Sequence, residues 1–186
     1  AAKFFMDNKL DTPRDTLAGN MKLQKLLYFA QLINLAKFDT PLFSNGIYAF
    51  EKGMVVDDIR KKYKEDYQAI VSSENEKLSD KEKETLELTV KIFGKYDADQ
   101  LSEITHHHLS WKLQLRNGTF DNGYHNKDAS IVDIEMLKKN EVPDMKDLIE
   151  SSENSEISSG EKDEVLEFNG SCFYYDDKNI SDEKIK

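Results

Sequence analysis

The stretch that most constrains this chain is residues 21–38, MKLQKLLYFAQLINLAKF. Beyond Lys25 its strongly polar positions are Gln31, Asn34 and Lys37, spaced three residues apart. At about 100° per residue they form one narrow polar strip on a helix, and the rest of Leu26–Phe38 is Leu, Ile, Ala, Tyr or Phe. A helix apolar over most of its circumference belongs inside a core. A membrane span takes roughly 18–20 consecutive apolar residues, and this run is shorter and interrupted. The helix therefore predicts a mainly α fold built around it, or one that keeps a face of it for a partner.

A chain of 186 residues suits one domain of about 100–150 residues with an extension. Its 38% apolar and 33% charged residues describe a compact core diluted by solvated segments. Charge is unevenly placed: residues 1–124 hold 19 acidic and 18 basic side chains, whereas residues 125–186 hold 17 and 8. So acidic a chain argues against sequence-independent nucleic-acid binding, which needs clustered Lys and Arg. The locally basic RKKYK (Arg60–Lys64) lies between Asp57, Asp58, Glu65 and Asp66 and reads as a solvated helix face. A single cysteine, Cys172, excludes an internal disulfide and fits a reducing, cytoplasmic setting. The opening AAKFFMDNK is too short and amphipathic for a secretory signal, and no segment points to a membrane.

Along the chain, a helix is expected over Ala2–Asn8, continuing from upstream, and the main helix over about Asn20–Lys37, with Asp15 or Thr16 capping its approach. Pro41 ends that helix. Asn45-Gly46 is a turn signal, and alternation over Ile47–Lys52 predicts a short strand closed by Lys52-Gly53. Helices follow over about Val56–Ser72, Asp80–Tyr96, Ala98–Thr105 and Trp111–Arg116, the second with Ser79 and Glu82 as a capping box. Helical spacing returns at Ile131, Ile134 and Leu137. These readings divide the chain into a helical domain with a short β segment over 1–137, an acidic flexible linker over 138–164, and a β-hairpin extension over 165–186 turning at Asn169-Gly170.

Residue chemistry points to no enzyme, cofactor or metal. The three histidines of THHHLSW (Thr105–Trp111) project about 100° apart on a helix and cannot converge on one ion, and a structural His106 beside Trp111 is the simpler reading. Cys172 sits at a hairpin position without a histidine partner in sequence. Asp57-Asp58 is explained by a helix N-terminus. The residues thus describe a soluble, mainly helical interaction protein.

Several segments carry a family resemblance. MKLQKLLYFAQ (Met21–Gln31), followed by PLF (Pro41–Phe43), resembles the LKLQKLLYYAQ…PLF signature of the Panacea, or SocA-like, antitoxin domain. AFEKGMVVDDIRKKY (Ala49–Tyr63) is similar to that family's AWKYGPVVPELYEEF, and LSEITHHHLSWKLQLRNG (Leu101–Gly118) to its LSELTHEEDPWKEAR. ASIVDIEML (Ala129–Leu137) is similar to the helix that closes the domain, so the resemblance covers about residues 1–137. It implies a mainly helical antitoxin domain, common in prophages and bacterial operons, that neutralises varied toxins by direct contact. One member is similar to an adaptor that delivers its toxin to a protease. This chain departs from the signature at Phe50, at Lys52-Gly53-Met54 and at His106-His107-His108, which implies a different partner.

Tyr28 and Phe29 are expected as core aromatics, while Gln24, Tyr28 and Gln31 are the residues that would line a toxin-contacting cleft. Lys52, Met54, His106, His107 and Trp111 complete the candidate partner-binding set. The first functional reading is an antitoxin that occludes a cognate protein toxin; a basic, RNA-directed toxin suits the acidic 125–186 region. The alternative is a phage-encoded adaptor or regulator that binds a host defence protein or protease. Neither reading involves nucleic acid, membrane or cofactor.

Overall fold

The computed structural model describes residues 1–74, 77–119 and 125–158. The apolar stretch is the axis of the fold. Helix α2 (Leu17–Phe38) follows a short α1 (Ala2–Asp7), and every residue from Leu23 to Leu35 is buried. Thr16 caps α2 by accepting the Gly19 N–H at 3.1 Å, and Asp39, left-handed at φ 56°, ends it.

Helices α5 (Asp80–Phe93), α6 (Ala98–His107) and α9 (Val142–Ser158) pack on α2, with a β-hairpin along its first half. Phe29 stacks on Phe93 with ring centroids 4.0 Å apart. The polar strip is where the helix grips its neighbours. Gln31 Oε1 accepts the Leu42 and Phe43 N–H groups at 2.9 and 3.2 Å, pinning the loop that follows Pro41. Asn34 donates to the Thr40 carbonyl and accepts from the Thr85 hydroxyl, at 2.7 and 2.8 Å. Lys37 reaches Glu84 at 2.6 Å and Glu153 at 3.4 Å. A buried polar atom without a partner is costly, so these bonds set which elements close on the helix.

The expected strand over Ile47–Lys52 is the first arm of a hairpin. Strand β1 (Ile47–Phe50) turns through Glu51-Lys52 into β2 (Gly53–Val56), with Phe50 opposite Gly53 and Ile47 opposite Val56. Gly53 has φ +91°, which suits glycine at the turn exit. Strand β3 (Ile131–Val132) pairs antiparallel with the other edge of β1, giving the order β2-β1-β3. The helical reading of 131–137 is thus corrected at its start: Ile131 and Val132 extend the sheet, and α8 (Ile134–Asn140) begins only after Asp133, which caps it. The single helix expected over Val56–Ser72 is two, α3 (Asp57–Glu65) and α4 (Tyr67–Val71), because the Asp66 side chain accepts the Ala69 N–H at 3.0 Å and restarts the chain. The Ser79/Glu82 capping box forms as expected, and Asp97 with Gln100 makes a second at the start of α6, which is followed by α7 (Leu109–Gly118).

The larger correction concerns the linker over 138–164. Its first part completes α8, and Val142–Ser158 is a helix whose Val142, Met145 and Ile149 are buried in the core. Spacings of three and four place those side chains on one face, enough apolar surface to dock a helix otherwise rich in Ser and Glu. The helical unit therefore runs past residue 137. The expected hairpin over 165–175, with Cys172, lies outside the described residues.

Candidate functional site

The turn Glu51-Lys52 makes Phe50 and Gly53 a hydrogen-bonded pair, so Met54 and Val56 direct their backbone groups away from β1. In place of a further strand, two consecutive side chains of α2 meet them. Gln24 Oε1 accepts the Val56 N–H at 3.1 Å, and Lys25 Nζ donates to the Met54 carbonyl at 2.9 Å. Gln24 in turn donates to Asn20 Oδ1 at 2.9 Å. The LQK of the signature stretch thus closes a sheet edge.

Lys25 is only 1% exposed, and burial pulls its pKa down to about 7. Substituting Gly53 would bring a Cβ against Thr105 Oγ1 and within 2.9 Å of Lys25 Cε, so glycine is required here by both conformation and space.

The hairpin tip is clamped from its other side by the histidine-tryptophan segment. Ser102 donates its hydroxyl to the Lys52 carbonyl at 2.7 Å, and Trp111 Nε1 donates to the Phe50 carbonyl at 2.8 Å. His106 stacks on Trp111 with centroids 4.4 Å apart, and burial lowers its pKa despite the nearby Glu103. His107 lies 3.2 Å from Glu103 Oε1. His108 is buried beneath both, with Nδ1 2.6 Å from Tyr28 Oη. Burial, with His107 adding to it, drops the His108 pKa to about 3 and keeps the ring neutral.

Four members of the candidate set are accordingly interior residues. Gln24, Tyr28, Gln31 and Met54 are between 0% and 2% exposed, and their polar groups bond within the fold. Lys52 is exposed at the hairpin tip, and His106, His107 and Trp111 are half-buried behind it. Among the described residues, no group of three His, Cys, Asp or Glu side chains is arranged to hold a metal, and no helix is long and apolar enough to cross a membrane.

The surface feature that residue types alone did not reveal is a groove of about 790 Å³ between the start of α2, α3 and the hairpin tip. Asn20, Gln24 and Lys25 line it from α2, and Arg60, Tyr63 and Lys64 from α3. Phe50, Lys52 and Val55 face it from the hairpin, and Leu17, 73% exposed, stands at its rim. Arg60 is held by Asp57, a fully buried carboxylate that also binds Lys61 and Lys127 at 3.1 Å each. Burial would raise the Asp57 pKa, but the Arg60, Lys61 and Lys127 bonds outweigh it and hold it below the ordinary value. The signal available in sequence was the basic run Arg60–Lys64 around Tyr63, read there as a solvated face.

Residues 23–112 match the family model described as antitoxin SocA-like, Panacea domain. No curated protein and no solved structure matches the chain.

Proposed function

We propose, from the match of residues 23–112 to the antitoxin SocA-like, Panacea domain, that this chain is an antitoxin that neutralises a cognate protein toxin by direct binding. The family match carries the reading. The buried polar residues support a binding rather than a catalytic role, because Gln24, Gln31, Asn34 and Glu141 are each engaged in bonds that join one element to another. The mechanism is occlusion: a preformed surface covers the toxin's active or substrate-binding face.

A basic, RNA-directed toxin fits the charge of the C-terminal third. Residues 125–186 carry 17 acidic against 8 basic side chains, and Asp147, Glu150 and Glu153 are exposed along α9. Complementary charge speeds encounter and fixes register. The protein then acts in the cytoplasm, where such a toxin is made.

The test is co-expression of the full chain with the product of the neighbouring gene, scoring growth and co-purification. Rescue of growth together with an isolated complex is the expected outcome, weakened when Asp147 and Glu150 are changed to Lys. Absence of both rescue and complex sinks the antitoxin reading in favour of an adaptor for a host protease or defence protein.

A further inference from the structure

The groove at the start of α2 is basic in a chain whose net charge is −10. Lys25, Lys52, Arg60 and Lys64 line it against Asp15 and Glu51. Arg60 is committed to Asp57, with Nη2 2.6 Å from Oδ1. Lys52 and Lys64 are exposed and have no ion-pair partner among the described residues. Lys25 is 1% exposed and donates to the Met54 carbonyl, so Lys52 and Lys64 are the cations the groove offers. The rim adds an apolar element in Leu17, beside Met21 and Phe50.

Cations around an apolar trough select a ligand that brings carboxylates and an apolar side chain together. A nucleic-acid backbone is a poor fit, because Asp15 and Glu51 interrupt the basic patch and the whole chain repels a polyanion. A trough of about 790 Å³ accommodates several side chains of an extended peptide. We propose that this groove docks an extended acidic segment of a partner protein, its carboxylates against Lys52 and Lys64 and an apolar side chain on Leu17, Met21 and Phe50. That the partner is a toxin rests on the antitoxin reading; the chemistry of the segment does not.

The test is selection of a random-peptide display library on the full chain, on its Lys52→Glu/Lys64→Glu variant and on Leu17→Ala. Thermal melts establish that both variants are folded. Selected peptides are expected to combine Asp or Glu with Leu or Phe. Their affinity, read by fluorescence anisotropy, should fall at least about tenfold on the charge-reversed variant and also fall on Leu17→Ala. A pool without acidic enrichment, or one that binds both variants as well as the parent, overturns the proposal. Displacement of the selected peptides by a synthetic peptide of residues 161–177 would make the chain's own acidic segment the occupant and overturn the assignment to a partner. Acidic peptides selected alongside failed rescue in co-expression would support the groove and remove the toxin as its owner.

Discussion

The carboxylate of Glu141 seals the start of the helix that carries Ser110. Its Oε1 accepts the Ser110 backbone N–H at 2.9 Å, and its Oε2 accepts the Ser110 hydroxyl at 2.6 Å. A residue just beyond α8 thereby caps α7 across 31 positions of sequence, locking the C-terminal helices onto the segment that clamps the hairpin. Burial raises the Glu141 pKa to about 7, against the opposing pull of the Ser110 bonds.

That shift has a signed consequence. Between about pH 4.5 and 7 the folded protein retains a proton that the unfolded chain releases, so this group's contribution to stability falls as pH rises through the window and levels off above it. Glu141→Gln should flatten that dependence in urea unfolding measured across the window. Glu141→Leu, which removes the acceptor altogether, should cost about 1–2 kcal/mol. An unchanged pH profile in the Gln variant would refute the assignment.

Lys25 acts in the opposite direction. Its folded pKa of about 7 lies below the ordinary 10.5, so the unfolded chain holds the extra proton between these values and stability rises with pH across them. The slope from this one group approaches about 1.4 kcal/mol per pH unit. Lys25→Met should abolish the alkaline rise; its persistence would show that the amine is not the group responsible.

Gly53→Ala tests the hairpin exit. The new methyl meets Thr105 Oγ1 and the Lys25 side chain at a backbone φ of +91°. A loss of at least about 2 kcal/mol is expected in thermal or urea unfolding. Combining it with Thr105→Ala should restore part of the loss, because the steric component is relieved while the backbone component stays.

Tyr28→Phe removes the 2.6 Å bond to His108 while conserving the ring that packs on Phe29 and His108. A cost of about 1–2 kcal/mol is expected from losing a partner at a fully buried imidazole. In a double-mutant cycle with His108→Leu, the two substitutions should be strongly non-additive. Additivity would mean that the two groups do not couple.

Much of the fold was legible because it is encoded locally. The all-round apolarity of Leu26–Phe38 requires enclosure, Ser79 with Glu82 forms its capping box from residues three apart, and the Trp111 segment stands beside His106 as the spacing suggested. Less legible was α9, where Ser and Glu outnumber the Val142, Met145 and Ile149 face that docks it. The second hairpin arm was also hidden, since GMVV, buried at every position, has no alternation to reveal a strand.

Sequence by itself determined the central helix, the capping box that starts α5 and the family resemblance, because propensity, capping and periodicity act over a few residues. Tertiary structure alone decided what the signature side chains do. Gln24 and Lys25 bond to Val56 and Met54, about thirty residues away, and Tyr28 meets His108 eighty residues on. Hydrogen bonding in a buried setting depends on which donors and acceptors the folded chain brings within reach. The same residue types therefore stand for a binding cleft in the sequence and for a closed sheet edge in the structure. The groove beside that edge exists only once α2, α3 and the hairpin tip have packed together.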